Sequence, residues 1–376
     1  MTPPSSDPEF ARDAAGADAQ FGALPAARPS EELLVQRLAD YAPARPVERI
    51  LATSLGRAQA ARAALQRFPE AQAACWFMDV YRAARARLPN DSPRLTVVCQ
   101  PDLPPADVPA GYDLALLPFT AHGDAELTRE LLQQACVELA EGGQLWTSTD
   151  NPDDRWLRGE LEKLFPRIRT HASPQGVVYS AVRTAPPKKL KDFSCWFAFR
   201  DGPRLLQAYS RPGVFSHRRI DTGARCLLET MQIESGMKVV DIGCGVGTVG
   251  IAAAARATGV KVFALDSNPR AVECTRIGAA ANQLSHLVAA LDAEVRVDAP
   301  GQYDLALANP PYYSHHRIAE LFVLGAVQAL RPDGQLLLVT KDPVWYDENL
   351  PRWFHEQEIL AVRSYFVVRA VGVTNR

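Results

Sequence analysis

The chain has 376 residues, more than a single core ordinarily holds, so two or three structural units are expected. Hydrophobic residues make up 47% and charged residues 22%, the balance of an ordinary globular protein, and the net charge is only −2. That excludes nucleic-acid binding through overall charge, so any such contact must come from a local basic patch. The seven cysteines are scattered, with no C-x-x-C pair and no histidine at ligand spacing. This argues against a zinc site and a disulfide framework and points to a reducing, cytoplasmic setting.

Residues 1–30 are rich in Ala, Pro, Asp and Ser and lack an apolar stretch, which reads as a disordered tail rather than a signal peptide. No run of 18 apolar residues occurs, so no membrane span is expected. Over 31–185, and again over 201–376, short β-rich runs alternate with helical patterns, which predicts an α/β fold with a doubly wound parallel sheet in each half. The segment 186–200, opening on Pro186-Pro187-Lys188-Lys189, reads as a stiff, solvated linker.

The two halves share one pattern. Tyr112-Asp113-Leu114-Ala115-Leu116 matches Tyr303-Asp304-Leu305-Ala306-Leu307 at an offset of 191 residues. Without a gap, Ala135, Leu139 and Gly143-Gln144-Leu145 match Ala326, Leu330 and Gly334-Gln335-Leu336. Both stretches read strand, loop, amphipathic helix, Gly turn, strand, with helices at about 125–139 and 317–330. A weaker echo pairs Val177–Val182 with Val367–Val371. The chain is read as a duplicated domain.

Only the second half carries a glycine-rich loop. Lys238-Val239-Val240 feeds Asp241-Ile242-Gly243-Cys244-Gly245-Val246-Gly247 and then an Ala-rich helix. A dinucleotide loop prefers G-x-G-x-x-G, but Thr248 stands at the sixth position. An acid two residues before G-x-G-x-G is instead the pattern of an S-adenosylmethionine (SAM) site, with Asp241 helping to hold the amino-acid end of the cofactor. The next strand ends in Asp266, placed for ribose hydroxyls, and a further run ends in Asp292, placed for the adenine amino group. Gly243, Cys244, Gly245, Gly247, Asp241, Asp266 and Asp292 are therefore the cofactor candidates. The first half has only Thr53-Ser54-Leu55-Gly56 at the corresponding place and Pro118-Phe119-Thr120-Ala121 after its fourth strand, so it reads as a degenerate copy serving substrate binding or rigidity.

Asn309-Pro310-Pro311-Tyr312 follows the strand-like run 303–308. Prolines fix the backbone, and Pro310 lacks an N–H, so the loop presents carbonyls. An amine conjugated to a base is a poor nucleophile because its lone pair is delocalised. The Asn309 side-chain oxygen and the Pro310 carbonyl can each accept one of its N–H bonds, leaving the lone pair aimed at a methyl donor, while Tyr312 stacks on the base. Asn309, Pro310, Pro311 and Tyr312 are the catalytic candidates, Asn309 also bordering the cofactor. The same four residues suit three planar nitrogens: guanine N2, adenine N6 and a glutamine amide.

From Tyr209 to the C-terminus, including Ser210-Arg211-Pro212-Gly213-Val214-Phe215-Ser216 and Asp221-Thr222-Gly223, the chain resembles the RsmC/RlmG-type ribosomal RNA guanine-N2 methyltransferases. The resemblance implies two tandem Rossmann-like methyltransferase domains of which the second is catalytic. It also implies SAM as cofactor and ribosomal RNA or a ribosomal subunit as partner. Phe215, Ser216 and Asp221 inherit a place over the cofactor beside the substrate pocket. Relatives of that type carry Phe and then His after Asn-Pro-Pro, where this chain has Tyr312 and Tyr313.

Lys188, Lys189, Lys191, Arg200, Arg204, Arg211, Arg218, Arg219 and Arg317, with His217, His315 and His316, are read as candidate phosphate contacts, and Trp196, Phe197 and Phe199 as domain-interface packing. No metal is expected, and the oligomeric state is expected to be a monomer. A non-enzymatic reading, an RNA-binding protein built from two retired methyltransferase folds, is disfavoured by the intact loop and Asp266.

Overall fold

The computed structural model describes residues 26–108, 111–311 and 316–374. It divides between Phe193 and Ser194 into two compact units. The N-terminal unit runs α1 (Pro29–Ala39), β1 (Arg49–Thr53), α2 (Gln59–Arg67), β2 (Gln72–Phe77), α3 (Val80–Ala86), β3 (Leu95–Cys99), β4 (Tyr112–Phe119) and α4 (Ala125–Glu138). It continues with β5 (Leu139–Thr149), α5 (Trp156–Leu161), β6 (Ile168–Ser173) and β7 (Gly176–Val182). Its seven strands lie in the order β3-β2-β1-β4-β5-β7-β6.

The C-terminal unit opens on a hairpin, β8 (Cys195–Asp201) and β9 (Arg204–Ser210). It then runs α6 (Thr222–Thr230), β10 (Lys238–Ile242), α7 (Thr248–Arg256), β11 (Lys261–Asp266), α8 (Pro269–Ala281), β12 (Leu287–Leu291) and β13 (Tyr303–Ala308). It ends with α9 (Arg317–Ala329), β14 (Leu330–Thr340), α10 (Val344–Asn349), β15 (Phe354–Val362) and β16 (Tyr365–Val373). The sheet order β12-β11-β10-β13-β14-β16-β15 repeats that of the first unit strand for strand.

Several sequence expectations need correcting. Neither sheet is wholly parallel: β7 and β16 run antiparallel to β5 and β14, and β6 and β15 run antiparallel to those in turn. The helix α1 begins at Pro29, inside the stretch read as a tail; residues 1–25 lie outside the described residues. Residues 195–200, read as linker, form most of β8. Trp196, Phe197 and Phe199 pack within the C-terminal unit, Phe199 in its core and Trp196 tilted on Tyr209. Lys191 is tied to Gln133 by two hydrogen bonds, so that part of the expected linker lies along α4.

The repeated Tyr-Asp-Leu segment has a physical explanation. Tyr112 pairs with Leu139 and Tyr303 with Leu330, each followed by the same register shift, so the Gly turns at 143 and 334 lie inside β5 and β14 as irregularities. The aspartate between Tyr and Leu ties down the start of the neighbouring first strand. Asp113 accepts from the Glu48 and Arg49 N–H groups, and Asp304 from the Lys238 N–H at 2.7 Å. A backbone donor at the foot of the first strand thus finds its acceptor on the fourth strand in both copies.

Each sheet buries both faces. In the C-terminal unit Val239, Leu305 and Val339 face a core shared with α6, α7 and the hairpin, while Val240, Ala306 and Leu338 face one shared with α9. All seven cysteines carry free thiols. Among the described residues, no helix is long and apolar enough to cross a membrane.

In the N-terminal unit the turn after β1 is filled by the chain itself. Glu31 of α1 is fully buried, and its carboxylate accepts from Ser54 Oγ and from the N–H groups of Leu55, Gly56 and Ala60 at 2.9–3.2 Å. Burial pushes its pKa up, opposed by the hydrogen bonds it accepts. Glu31→Ala leaves the Leu55 and Ala60 N–H groups and the Ser54 hydroxyl without this acceptor and is expected to destabilise the chain by about 1–3 kcal/mol in chemical denaturation.

Candidate active site

In the C-terminal unit the first strand, β10, lies between β11 and β13. Crossovers leave β10 in opposite directions at this point, so the chain opens a crevice beyond its carboxyl end. The glycine loop occupies that end. Gly243, Gly245 and Gly247 have φ of +74°, +54° and +81°, in the left-handed region where a Cβ is strained. A Cβ on Gly247 would stand 2.7 Å from Thr275 Oγ1, and one on Gly243 would stand 2.9 Å from the Phe322 ring. The loop is wired to the next strand: the Gly243 and Cys244 N–H groups donate to the Leu265 carbonyl, and the Gly245 N–H donates to Asp266 Oδ2 at 2.9 Å.

The acidic candidates separate into different roles. The Asp241 carboxylate is turned inward, buried beneath the loop, where it accepts from the Gly250 N–H at 2.9 Å. It therefore braces the start of α7, a role the sequence reading did not assign. Burial pushes its pKa up to about 7, against the Gly250 hydrogen bond and with the nearby Asp266 adding to the rise. Asp266, half-buried at the end of β11, also accepts from the Asn268 N–H. Asp292 follows β12, its own N–H donating to the Asp266 carbonyl. Burial raises the Asp292 pKa, but the N–H groups and guanidinium of Arg296 and the Glu294 N–H outweigh it and hold the carboxyl below its usual range. Cys244 is buried, and desolvation lifts its thiol well above its ordinary pKa, so it remains a neutral wall of the loop.

A strap, residues 211–221, crosses from β9 to α6 over this loop. Val214 packs on Val246, Ala271 and Cys274. Its backbone is held by the start of α8: Asn268 Nδ2 donates to the Gly213 carbonyl and the fully buried Arg270 to the Pro212 carbonyl, at 2.8 and 2.9 Å. A Cβ on Gly245 would stand 3.6 Å from the Phe215 carbonyl oxygen, so Phe215, a residue 61% exposed, lies directly against the loop. Ser216 and Arg218 have positive φ. Asn268, Arg270 and Phe322 were not singled out in the sequence; Asn268-Pro269, two residues after the strand-ending acid, is a helix-start signal that could have found the first.

The fourth strand delivers the second motif. Ile242 pairs with Ala308, so Asn309 leaves β13 beside Gly243. Asn309 is half-buried and Pro310 buried. The Asn309 amide meets the start of α6: its Nδ2 donates to Asp221 Oδ2 at 3.1 Å. Tyr312, with Tyr313, Ser314 and His315, lies outside the described residues. Just beyond them, His316 stacks on Trp345 with ring centroids 5.3 Å apart.

The basic candidates divide as well. Arg211 is buried and paired with Glu273, Arg204 donates to the Arg256 carbonyl, and His217 shares a hydrogen bond with Ser210 Oγ, so these three serve the fold. Lys188, Lys189, Arg200, Arg218, Arg219 and Arg317 are exposed. Among the described residues, no group of three or more His, Cys, Asp or Glu is placed to hold a metal ion.

A sheet of this order, with a glycine loop after its first strand and an acid after its second, is the fold of a class I, SAM-dependent methyltransferase. Residues 206–370, within the C-terminal unit, match the family model described as "Methyltransferase small domain". Among curated proteins the chain is 31% identical over 218 residues to "Ribosomal RNA small subunit methyltransferase C" of Haemophilus influenzae strain PittGG. That alignment covers 57% of this chain and 63% of the relative, just under two thirds of its length. It is 31% identical over 188 residues to the protein of the same name from Salmonella gallinarum, covering 49% of this chain and 54% of that one. Among solved structures, "T. Thermophilus 16S rRNA N2 G1207 methyltransferase (RsmC) in complex with AdoMet and Guanosine" superposes with a TM-score of 0.74 over 94% of this chain and 96% of that one. At 21% identity, the likeness shows a common fold.

Asp241 supplies a test of the loop's support. A carboxyl whose folded pKa is raised to about 7 from an ordinary value of about 3.9 loses stability as pH rises between those limits. Asp241→Asn keeps an acceptor for Gly250 and removes the titration. Relative to wild type, the variant is expected to melt higher at about pH 8 than at about pH 5, read by thermal unfolding at the two pH values.

Proposed function

We propose that the chain transfers a methyl group from SAM to the exocyclic N2 amine of a guanine in ribosomal RNA. The observation that carries this reading is the placement of Asn309 at the end of β13, next to the glycine loop at the end of β10, through the Ile242–Ala308 pairing. The names of the curated relatives and of the superposing structure support the choice of ribosomal RNA and of guanine N2 among the planar nitrogens.

The residues present fit the cofactor. Three left-handed glycines keep side chains off the loop, and Asp266 and Asp292 place carboxylates at the ends of the second and third strands, where hydroxyl and amino groups can donate to them. Asp241 acts from beneath, bracing the loop through Gly250. Phe215 of the strap lies against the loop, and Ser216 follows it in a left-handed conformation. Bound SAM supplies an electrophilic methyl group on a sulfonium.

The rest is done by the chain. The Asn309 side-chain oxygen and the Pro310 carbonyl accept the two N–H bonds of the guanine amine, drawing its lone pair out of conjugation and orienting it. Positive charge developing on that nitrogen is stabilised by the same two acceptors. Orientation of this kind lowers barriers by up to roughly 7–11 kcal/mol. No strong base is required, because the methylated amine cation sheds its proton readily to water. Tyr312 stacks on the base, a contact worth about 1–3 kcal/mol in such sites.

Two measurements test the reading. Ribosomal RNA incubated with the protein and methyl-labelled SAM, then digested to nucleosides, is expected to yield labelled N2-methylguanosine; label in N6-methyladenosine or in protein overturns it. Asn309→Ala is expected to slow transfer by about 10²–10³-fold, as loss of an oriented acceptor does, with SAM binding retained.

A further inference from the structure

Asn309 carries an amide whose two ends are alike in shape and opposite in chemistry: the oxygen accepts and the NH₂ donates. An amine substrate is activated by the first and repelled by the second, so the orientation of this one group decides whether the site works. We propose that Asp221 and Gly223 are positioning residues that fix the Asn309 amide with its NH₂ end on Asp221, so that the oxygen is the end that serves the substrate amine, an inference that rests on the acceptor role given to Asn309 above.

The geometry is specific. Asp221 Oδ2 accepts from Asn309 Nδ2 at 3.1 Å, and an ionised carboxylate can pair only with the NH₂ end of an amide. The flipped amide would set two acceptor oxygens against each other. The carboxylate is itself held still, because Asp221 is the N-cap of α6: Oδ2 also accepts from the Gly223 N–H at 2.9 Å and Oδ1 from the Ala224 N–H at 3.2 Å. The helix start thus serves as the fixed base for a side chain 88 residues away in sequence.

Gly223 completes the arrangement by what it lacks. It is buried in the first turn of α6, and its φ lies outside the left-handed region, so its backbone makes no demand for glycine. A Cβ there would stand 2.8 Å from Asn309 Oδ1 and 3.1 Å from Nδ2. Both ends of the amide border the space a side chain would fill. Asp221, which the family resemblance places among the cofactor residues, acts here through Asn309 instead.

The test uses the full chain with Gly223→Ala and Asp221→Asn. It reads single-turnover methyl transfer to ribosomal RNA, SAM affinity by calorimetry, and Tm. Alanine suits a helix better than glycine, but its Cβ would also stand 3.0 Å from Asp221 Oδ2, so Gly223→Ala is expected to stay folded with a Tm no more than modestly below wild type. Both variants are expected to transfer methyl roughly 100-fold more slowly, as for a misplaced reacting group, with SAM affinity unchanged. A wild-type rate in Gly223→Ala overturns the inference while the proposed reaction stands. So does SAM affinity that falls in step with the rate in Asp221→Asn, which would return Asp221 to the cofactor. Failure of the wild-type protein to methylate any RNA overturns both the reaction and the inference.

Discussion

The parallel pairing of β10 with β13 is the constraint on which the C-terminal unit depends. Val239 to Ile242 run beside Leu305 to Ala308, and the two strands send their chains out at the same edge. Everything chemical then follows from what each chain does on leaving. One turns through three glycines into α7 and the other carries a half-buried amide and stiffens on two prolines. Because the hydrogen-bonded register sets where both segments begin, neither motif can drift without breaking a buried ladder. The strap from β9 adds a roof, held by Asn268 and Arg270 at the start of α8.

The N-terminal unit shows how the same frame reads when its turn is closed. Its strand order is identical, yet the turn after β1 gathers its amides around Glu31. Where the C-terminal copy has Gly247 before its helix, this copy has Ala58, also in the left-handed region at φ +59°. The backbone conformation has persisted at a residue type that pays strain for it. A buried carboxylate from the unit's own first helix holds the donors of this turn, which agrees with the sequence's loss of the glycine loop there.

Much of this was legible in the residues because the signals are local. The glycines announce a backbone that only they adopt easily, and Tyr-Asp-Leu recurs because its aspartate binds the foot of an adjacent strand in each copy. The helices at 125–138 and 317–329 were visible in their periodicity. What stayed hidden depends on partners far apart in sequence. Nothing within reach of Asp241 reveals that it faces inward to Gly250 rather than toward a ligand. The antiparallel direction of β7 and β16 follows from their connections, which composition does not encode. The buried pairing of Arg211 with Glu273 turns an apparent phosphate contact into a brace. Gly223 was read only as part of a family stretch, since the amide that needs its empty side is supplied by another strand.

Strand β13 has its two ends under separate demands. Asp304, near its start, secures the sheet, and its counterpart Asp113 does the same in the other copy. Asn309, just past its finish, has no such counterpart. One rim of the sheet can therefore change its residues while the opposite rim keeps its hydrogen bond, because the two rims share a strand and no side chain. Such divergence leaves the hydrogen bond at the foot of the first strand in place in both units.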